Sequence, residues 1–316
     1  MPRENARDEL ILYRHSAWVA HCRRVLSKLL LPHLPFLLSR SQRDSFDESD
    51  RPWIILMENR ITSQWLMTWL NCLLMMPPGT GICFCSDQQG LEEIQAWLQN
   101  QPWRLSNLSL LLLQPWLGNV RLGNRVAFNA MMKNPGFWQQ LPGERLLIMQ
   151  TDAVLIEPIP IQFLDYGYLG APYLPGHLSD VFCERDSEGA LRGFFEAETF
   201  VHSPPHPNTY PFLFGNGGLS VRSRRLMQLI AATHASESPA DENEDVFFST
   251  HLAQHSTPAP LQIARAFAME TEYSETAIGC HAPWKYLSAA EQAAVLERHY
   301  CEVMACLDYP STRDEE

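Results

Sequence analysis

The first residues able to do chemistry are Gln150-Thr151-Asp152, directly after the apolar run 146–149. A carboxylate that emerges where a buried strand ends lies at the rim of a sheet. There it can hold a hard divalent ion, with phosphates and waters in the other positions, or simply cap a turn. The second candidate is Gly215-Asn216-Gly217-Gly218. Its three glycines permit positive φ and close approach of backbone to a ligand, and equally a tight hairpin. It has neither the order of a GxxxxGKS phosphate loop nor that of a GxGxxG dinucleotide turn. The third is Glu244-Asp245, ahead of Val-Phe-Phe. Acids at a helix start complement the helix dipole; a helix can also aim one of them into a cleft as a general base. The fourth is His281 in Gly-Cys-His-Ala-Pro-Trp, either a metal ligand through its neutral imidazole or a packed histidine on an ordered turn.

Short apolar runs separated by helical stretches must position these groups. Strands are predicted at 53–57, 81–85, 108–113 and 146–149, with helices at 61–75, 91–100, 128–132 and 135–140 between them. Runs of this length imply a parallel sheet covered on both faces, an α/β doubly wound fold whose ligands bind beyond the carboxyl ends of the strands. Further helices are predicted near 223–233, from Glu244, and over 288–307. Residues 172–211 are rich in Pro, His, Gly and acids, and are read as a functional loop that shapes an acceptor pocket or forms a lid.

Residues 1–50 form a distinct helical extension and linker, and 51–316 the globular domain. Residues 1–45 hold eight Lys/Arg against four acids in a chain of net charge −12. Trp18, Val19, Cys22, Leu26, Leu29 and Leu30 recur at helical spacing, with Arg23, Arg24 and Lys28 elsewhere on the wheel. This basic amphipathic helix over 10–40 docks on the domain or on a second subunit, or contacts an anionic membrane peripherally. The acidic balance disfavours nucleic acid as a partner. Eight cysteines without a CxxC pair read as reduced thiols of a cytoplasmic protein, Cys83 and Cys85 sharing one face of a strand. No secretory signal and no transmembrane helix is expected.

Taken in order, Glu58-Asn59-Arg60, Phe137-Trp138, QTDAVL (150–155), Tyr168-Leu169-Gly170-Ala171-Pro172, GNGGLSVRSRR (215–225), Glu244-Asp245-Val-Phe-Phe, Phe267…Glu270 and HAPW (281–284) resemble an uncharacterised family of glycosyltransferase-like proteins. Its members share QTD, GAPW, GNGGLSLR, ED and HxPW blocks, and the likeness spans roughly 53–287. That family is similar to the GT-A class of nucleotide-sugar glycosyltransferases. The resemblance implies a Rossmann-like, mostly parallel central sheet with helices on both faces. It implies transfer of a sugar from a nucleotide diphosphate sugar to a glycan or other hydroxyl acceptor, assisted by Mn²⁺ or Mg²⁺. Gln150, Thr151 and Asp152 stand where that class has its DxD motif, with Gln150 in place of the first acid. His281 completes the metal site with Asp152. Asp245, or Glu244, is the base, with inversion favoured over retention. Glu58, Asn59 and Arg60 contact the nucleotide, while Gly215, Asn216, Gly217, Gly218 and Trp284 face the acceptor. Tyr173 replaces the Trp of GAPW. The competing reading is a non-catalytic protein that binds a nucleotide sugar or glycan; a membrane-attached scaffold is a third.

Overall fold

The computed structural model describes residues 2–173, 184–185, 191–192, 213–239 and 241–308. The chain opens with α1 (Pro2–Val25), a π-helical turn (Leu26–Leu30), a 3₁₀ turn (Leu31–His33) and α2 (Leu34–Ser41). Then β1 (Trp53–Met57), α3 (Ser63–Met75), β2 (Gly81–Ser86), α4 (Gln88–Gln99) and β3 (Leu108–Leu112) alternate. Three short helices, α5 (Gln114–Leu117), α6 (Arg125–Met132) and α7 (Pro135–Gln140), lead to β4 (Arg145–Met149). Short strands follow: β5 (Ala153–Leu155), β6 (Tyr168–Gly170), β7 (Pro172–Tyr173), β8 (Glu184–Arg185), β9 (Leu191–Arg192) and β10 (Leu213–Phe214). Next come β11 (Leu219–Ser223), α8 (Arg224–His234), α9 (Glu244–His255) and α10 (Leu261–Phe267). The chain ends with β12 (Ala268–Met269), β13 (Gly279–His281), α11 (Pro283–Tyr286) and α12 (Ala289–Asp308).

Local chemistry starts many of these helices. Thr62, Asp87, Asn124, Asn134 and Ser223 each accept a backbone N–H of the first turn that follows, satisfying a donor the helix itself cannot.

The central sheet has the order β3-β2-β1-β4-β11-β6. The pairs β1/β2, β2/β3 and β1/β4 are parallel, while β11 runs antiparallel to both β4 and β6. The sheet is therefore mixed, which corrects the expectation of a mostly parallel one. After β4 the chain does not cross over through a helix. It turns at 150–152 into a separate three-stranded sheet, β12-β13-β5, and β11 later enters from the Gly-rich turn in the reverse sense. The short β5 and β6 carry too few residues to announce that reversal.

Helix α1 does not stand apart. Trp18, Cys22, Val25, Leu26, Leu29 and Leu30 are buried in the same core as β1 and α3. His21 and His299 meet at 2.8 Å, and Gln292 donates to the Arg14 carbonyl at 2.9 Å. The apolar face that could have lain on a membrane is thus turned to the domain; Leu10, Leu12, Tyr13 and Leu31 are the exposed apolar residues of this segment. Among the described residues no helix is long and apolar enough to cross a membrane. Residues 174–183, 186–190 and 193–212, most of the loop read as a lid, lie outside the described residues.

Candidate functional site

The register of the small sheet brings three titratable side chains into a row. Parallel pairing of Met269 with Cys280 sets the next residue, Glu270, beside His281. Antiparallel pairing of His281 with Ala153 sets Asp152 on the other flank. His281 Nδ1 lies 2.8 Å from Glu270 Oε1, and its Nε2 lies 3.1 Å from Asp152 Oδ1. Burial alone would push this imidazole down, but the Asp152 and Glu270 carboxylates overrule it and raise it to about 10. Burial would likewise raise Asp152; the His281 charge, their hydrogen bond and Lys285 instead hold it well below the usual carboxylate range. Lys285 Nζ is 3.8 Å from Asp152 Oδ2. It comes back to this point because Ala282, at φ 42°, turns the chain through the left-handed region immediately after His281. Alanine rarely adopts that conformation, which costs about 1–2 kcal/mol, and such strain gathers at functional sites.

The Gly215–Gly218 turn lies against this row. It is not a tight hairpin, since β10 pairs with β7 and β11 with β4 and β6. None of its glycines has positive φ, and the close approach that Gly217 and Gly218 permit is to protein side chains. A Cβ on Gly218 would overlap the His281 ring, and one on Gly217 would overlap Glu244 Oε1. Asn216 Oδ1 accepts from the Gly218 and Leu219 N–H groups at 2.6 and 2.8 Å, and its Nδ2 faces His281 Nδ1 at 2.5 Å. The Gly218 carbonyl accepts from Gln150 N at 2.8 Å, which ties the turn to the end of β4.

Beyond Gly217 the two adjacent acids at the start of α9 have different surroundings. Glu244 forms a two-pronged pair with Arg222, at 2.5 and 3.0 Å, with both side chains buried. The guanidinium also lies over the rings of Tyr168, Phe248 and Trp138. Glu244 is therefore committed to Arg222, and its candidacy as the base is withdrawn. Asp245 is half-buried and, among the described residues, accepts backbone N–H groups alone, from Gly217 at 3.3 Å and Val246 at 2.8 Å. Burial first, then the Glu244 and Glu270 charges, push Asp245 up to about 7. A carboxylate poised there is suited to proton transfer near neutrality.

At the end of β1, Glu58 accepts from Thr151 Oγ1 at 3.3 Å, from Arg60 Nε at 3.2 Å and from Asn59 N at 2.9 Å. Asn59 Nδ2 donates to Asp87 at 3.1 Å, and Arg121 pairs with the same carboxylate at 3.5 Å. The ends of β1, β2 and β4 thus share one rim.

Of the residues singled out from sequence, Glu58, Asn59, Arg60, Gln150, Thr151 and Asp152 lie along that rim. Gly215 to Gly218, Asp245 and His281 lie beside it. Trp284 does not join them: it is buried between His15 and Trp18, with ring centroids 4.8 and 5.4 Å away, and so offers no face to an acceptor. Reading the sequence missed the roles of Arg222, inside the quoted GNGGLSVRSRR block, of Lys285, directly after HAPW, and of Glu270, quoted without a role. Asp87 carried only its place after the second strand.

Asp152 and His281 bring a carboxylate oxygen and an imidazole nitrogen together, 3.1 Å apart across a hydrogen bond, and both are donor types that would hold a divalent ion once the imidazole is neutral. A carboxylate on the second ring nitrogen is the usual outer partner of a metal-bound histidine. Among the described residues no group of three His, Cys, Asp or Glu side chains that could hold a metal ion is present. Cys83 and Cys85, with sulfurs 3.6 Å apart, are buried in β2 away from any third such group and read as core thiols.

Residues 117–281 match the family described as a protein of unknown function (DUF5672). The match covers more than half of the chain, which therefore belongs to that family. It contains Asp152, the Gly-rich turn, Arg222, Asp245, Glu270 and His281, and leaves out Glu58–Arg60 and Lys285. No curated protein matches the chain.

Proposed function

We propose that this member of the DUF5672 family is a glycosyltransferase with a GT-A-like frame, moving a sugar from a nucleotide diphosphate sugar to a hydroxyl acceptor. The observation that carries this reading is the Gly215–Gly218 turn, which joins two unlike functions at van der Waals distance. On one side stand Asp152, His281 and Lys285, able to take a metal-bound diphosphate. On the other stands Asp245, a carboxylate raised to about 7 that accepts from the backbone N–H groups of Gly217 and Val246. The nucleotide lies along the rim of Glu58, Asn59 and Arg60. Asp152 and His281 hold Mn²⁺ or Mg²⁺, which supplies Lewis-acid stabilisation of the departing diphosphate. Lys285 adds a fixed positive charge beside Asp152. The absence of side chains at Gly217 and Gly218 lets Glu244 and the His281 ring pack against one turn, which brings Asp245 close to the Asp152–His281 pair. Asp245 accepts the proton of the acceptor hydroxyl as it attacks the sugar carbon, the arrangement of an inverting transfer.

Asp245→Asn keeps the shape of the base and removes its proton affinity. Sugar transfer is expected to fall about 10²–10⁴-fold, while affinity for the donor, read by calorimetry, stays unchanged. Normal turnover in that variant would refute the role. A wild-type protein that binds nucleotide sugars tightly but neither transfers nor hydrolyses them, with or without Mn²⁺, would identify a binding protein instead.

A further inference from the structure

Glu270 has no part in the mechanism above, yet it is the shortest contact His281 makes with any carboxylate. We propose that Glu270 is a positioning residue: it accepts the Nδ1–H of His281 and so turns Nε2 toward Asp152. The inference rests on the reading that Asp152 and His281 hold the divalent ion. It gives that site its missing outer layer.

The pairing of β12 with β13 fixes the main chain of the two residues side by side, so the contact does not depend on a loose loop. Glu270 is buried, and an ionised carboxylate there needs a donor. The ring itself is confined, because Gly218 has no Cβ and lies flush against it. One other group competes for Nδ1. Asn216 Nδ2 stands 2.5 Å away, and its amide cannot reverse, because Oδ1 already serves two backbone N–H groups. Were Asn216 the donor, Nδ1 would carry no proton and would face Glu270 Oε1 at 2.8 Å, lone pair against lone pair, unless Glu270 itself were protonated. A charge-assisted N–H to carboxylate bond removes the clash with Glu270, and Asn216 Nδ2 then stands beside Nδ1 as a neighbour, not as its donor. The bond to Glu270 also leaves Nε2 as the nitrogen that meets a metal, with its basicity increased by the carboxylate behind it.

The test compares the full-length wild type with Glu270→Gln and Glu270→Asp. In ¹⁵N-histidine NMR of metal-free protein, His281 Nδ1 is expected to carry a downfield proton protected from exchange. That signal moves upfield and exchanges faster in Glu270→Gln, and Glu270→Asp recovers it in part. A pyridine-like, proton-free Nδ1 in the wild type, or a signal indifferent to both variants, overturns the proposal. Mn²⁺ binding followed by EPR in the presence of UDP is expected to weaken about 10–100-fold in Glu270→Gln. UDP affinity in EDTA should hold, which a general loss of structure would not allow. Equal Mn²⁺ affinity in wild type and Glu270→Gln also overturns it. If the wild type binds no Mn²⁺, the metal reading fails, and the NMR result alone decides whether Glu270 orients the ring.

Discussion

The two sides of the Gly215–Gly218 turn differ in their charge balance. On the Asp152 side, two carboxylates (Asp152 and Glu270) face two cationic groups (His281 and Lys285). On the Asp245 side, two carboxylates share one guanidinium, and Glu244 takes it whole. The first side holds its acid ionised far below neutrality; the second leaves its acid half-protonated near pH 7. Neighbouring acids of one residue class thus acquire opposite tasks from their partners, not from their own chemistry. One carboxylate can hold a cation and the other can move a proton, and the pairing of Arg222 with Glu244 separates them.

The strongest way to break this comparison is to remove Arg222. Arg222→Met leaves Glu244 buried beside Asp245 without its cation and should destabilise the fold by about 3–5 kcal/mol in denaturant unfolding. Arg222→Met with Glu244→Leu removes both charges together and should recover most of that loss. In the double variant Asp245 loses its nearest repulsive neighbour, so the acid limb of kcat/KM should move to lower pH. An acid limb that stays near 7 would mean that the Glu244 and Arg222 charges cancel at Asp245, leaving burial and Glu270 to set it.

The second test uses stability. Asp245 has its folded pKa raised above the ordinary carboxylate value of about 3.9, so its protonated form is the one that favours folding. That contribution is whole below about pH 4 and is lost as pH rises through about 7. Asp245→Asn should therefore be more stable than wild type by on the order of 2 kcal/mol at pH 8, a figure discounted for the partial exposure of the side chain. The gain should vanish below about pH 4. A variant that gains stability while losing transfer is the trade expected of a strained functional group; one destabilised equally at all pH values would show that Asp245 is a structural cap.

Much of the frame was legible because buried strands are continuous apolar runs. Trp53–Met57, Gly81–Cys85 and Leu146–Met149 declared themselves, and Asp152 with them. The polarity of the sheet was not legible: β11 reads Leu-Ser-Val-Arg-Ser, and nothing local says whether it runs with or against β4. Glu270 could not be assigned, because its position depends on the register of strands of two and three residues, too short to show a period. Trp284 was misassigned for a related reason. Its partner Trp18 belongs to the N-terminal helix, and only tertiary packing reveals that an aromatic beside a functional histidine faces away from it. Glu244 and Asp245 were indistinguishable until Arg222, a strand residue in sequence, proved to be buried against one of them.

The mildest test alters the balanced side. Lys285 is partly exposed, so its charge is screened, and its pairing with Asp152 at 3.8 Å should contribute at most about 1 kcal/mol to stability. Its larger effect should be on a diphosphate, to which it presents a partly exposed positive charge. Lys285→Ala should weaken UDP binding in EDTA about 3–10-fold, with less salt dependence than in the wild type, because one fewer cation takes part. Lys285→Arg should restore the salt dependence. Added Mn²⁺ should narrow the difference, since metal charge then dominates the same phosphates. If Lys285→Ala instead leaves metal-free UDP binding unchanged and tightens Mn²⁺ binding, Lys285 serves mainly to occupy Asp152 until a metal arrives.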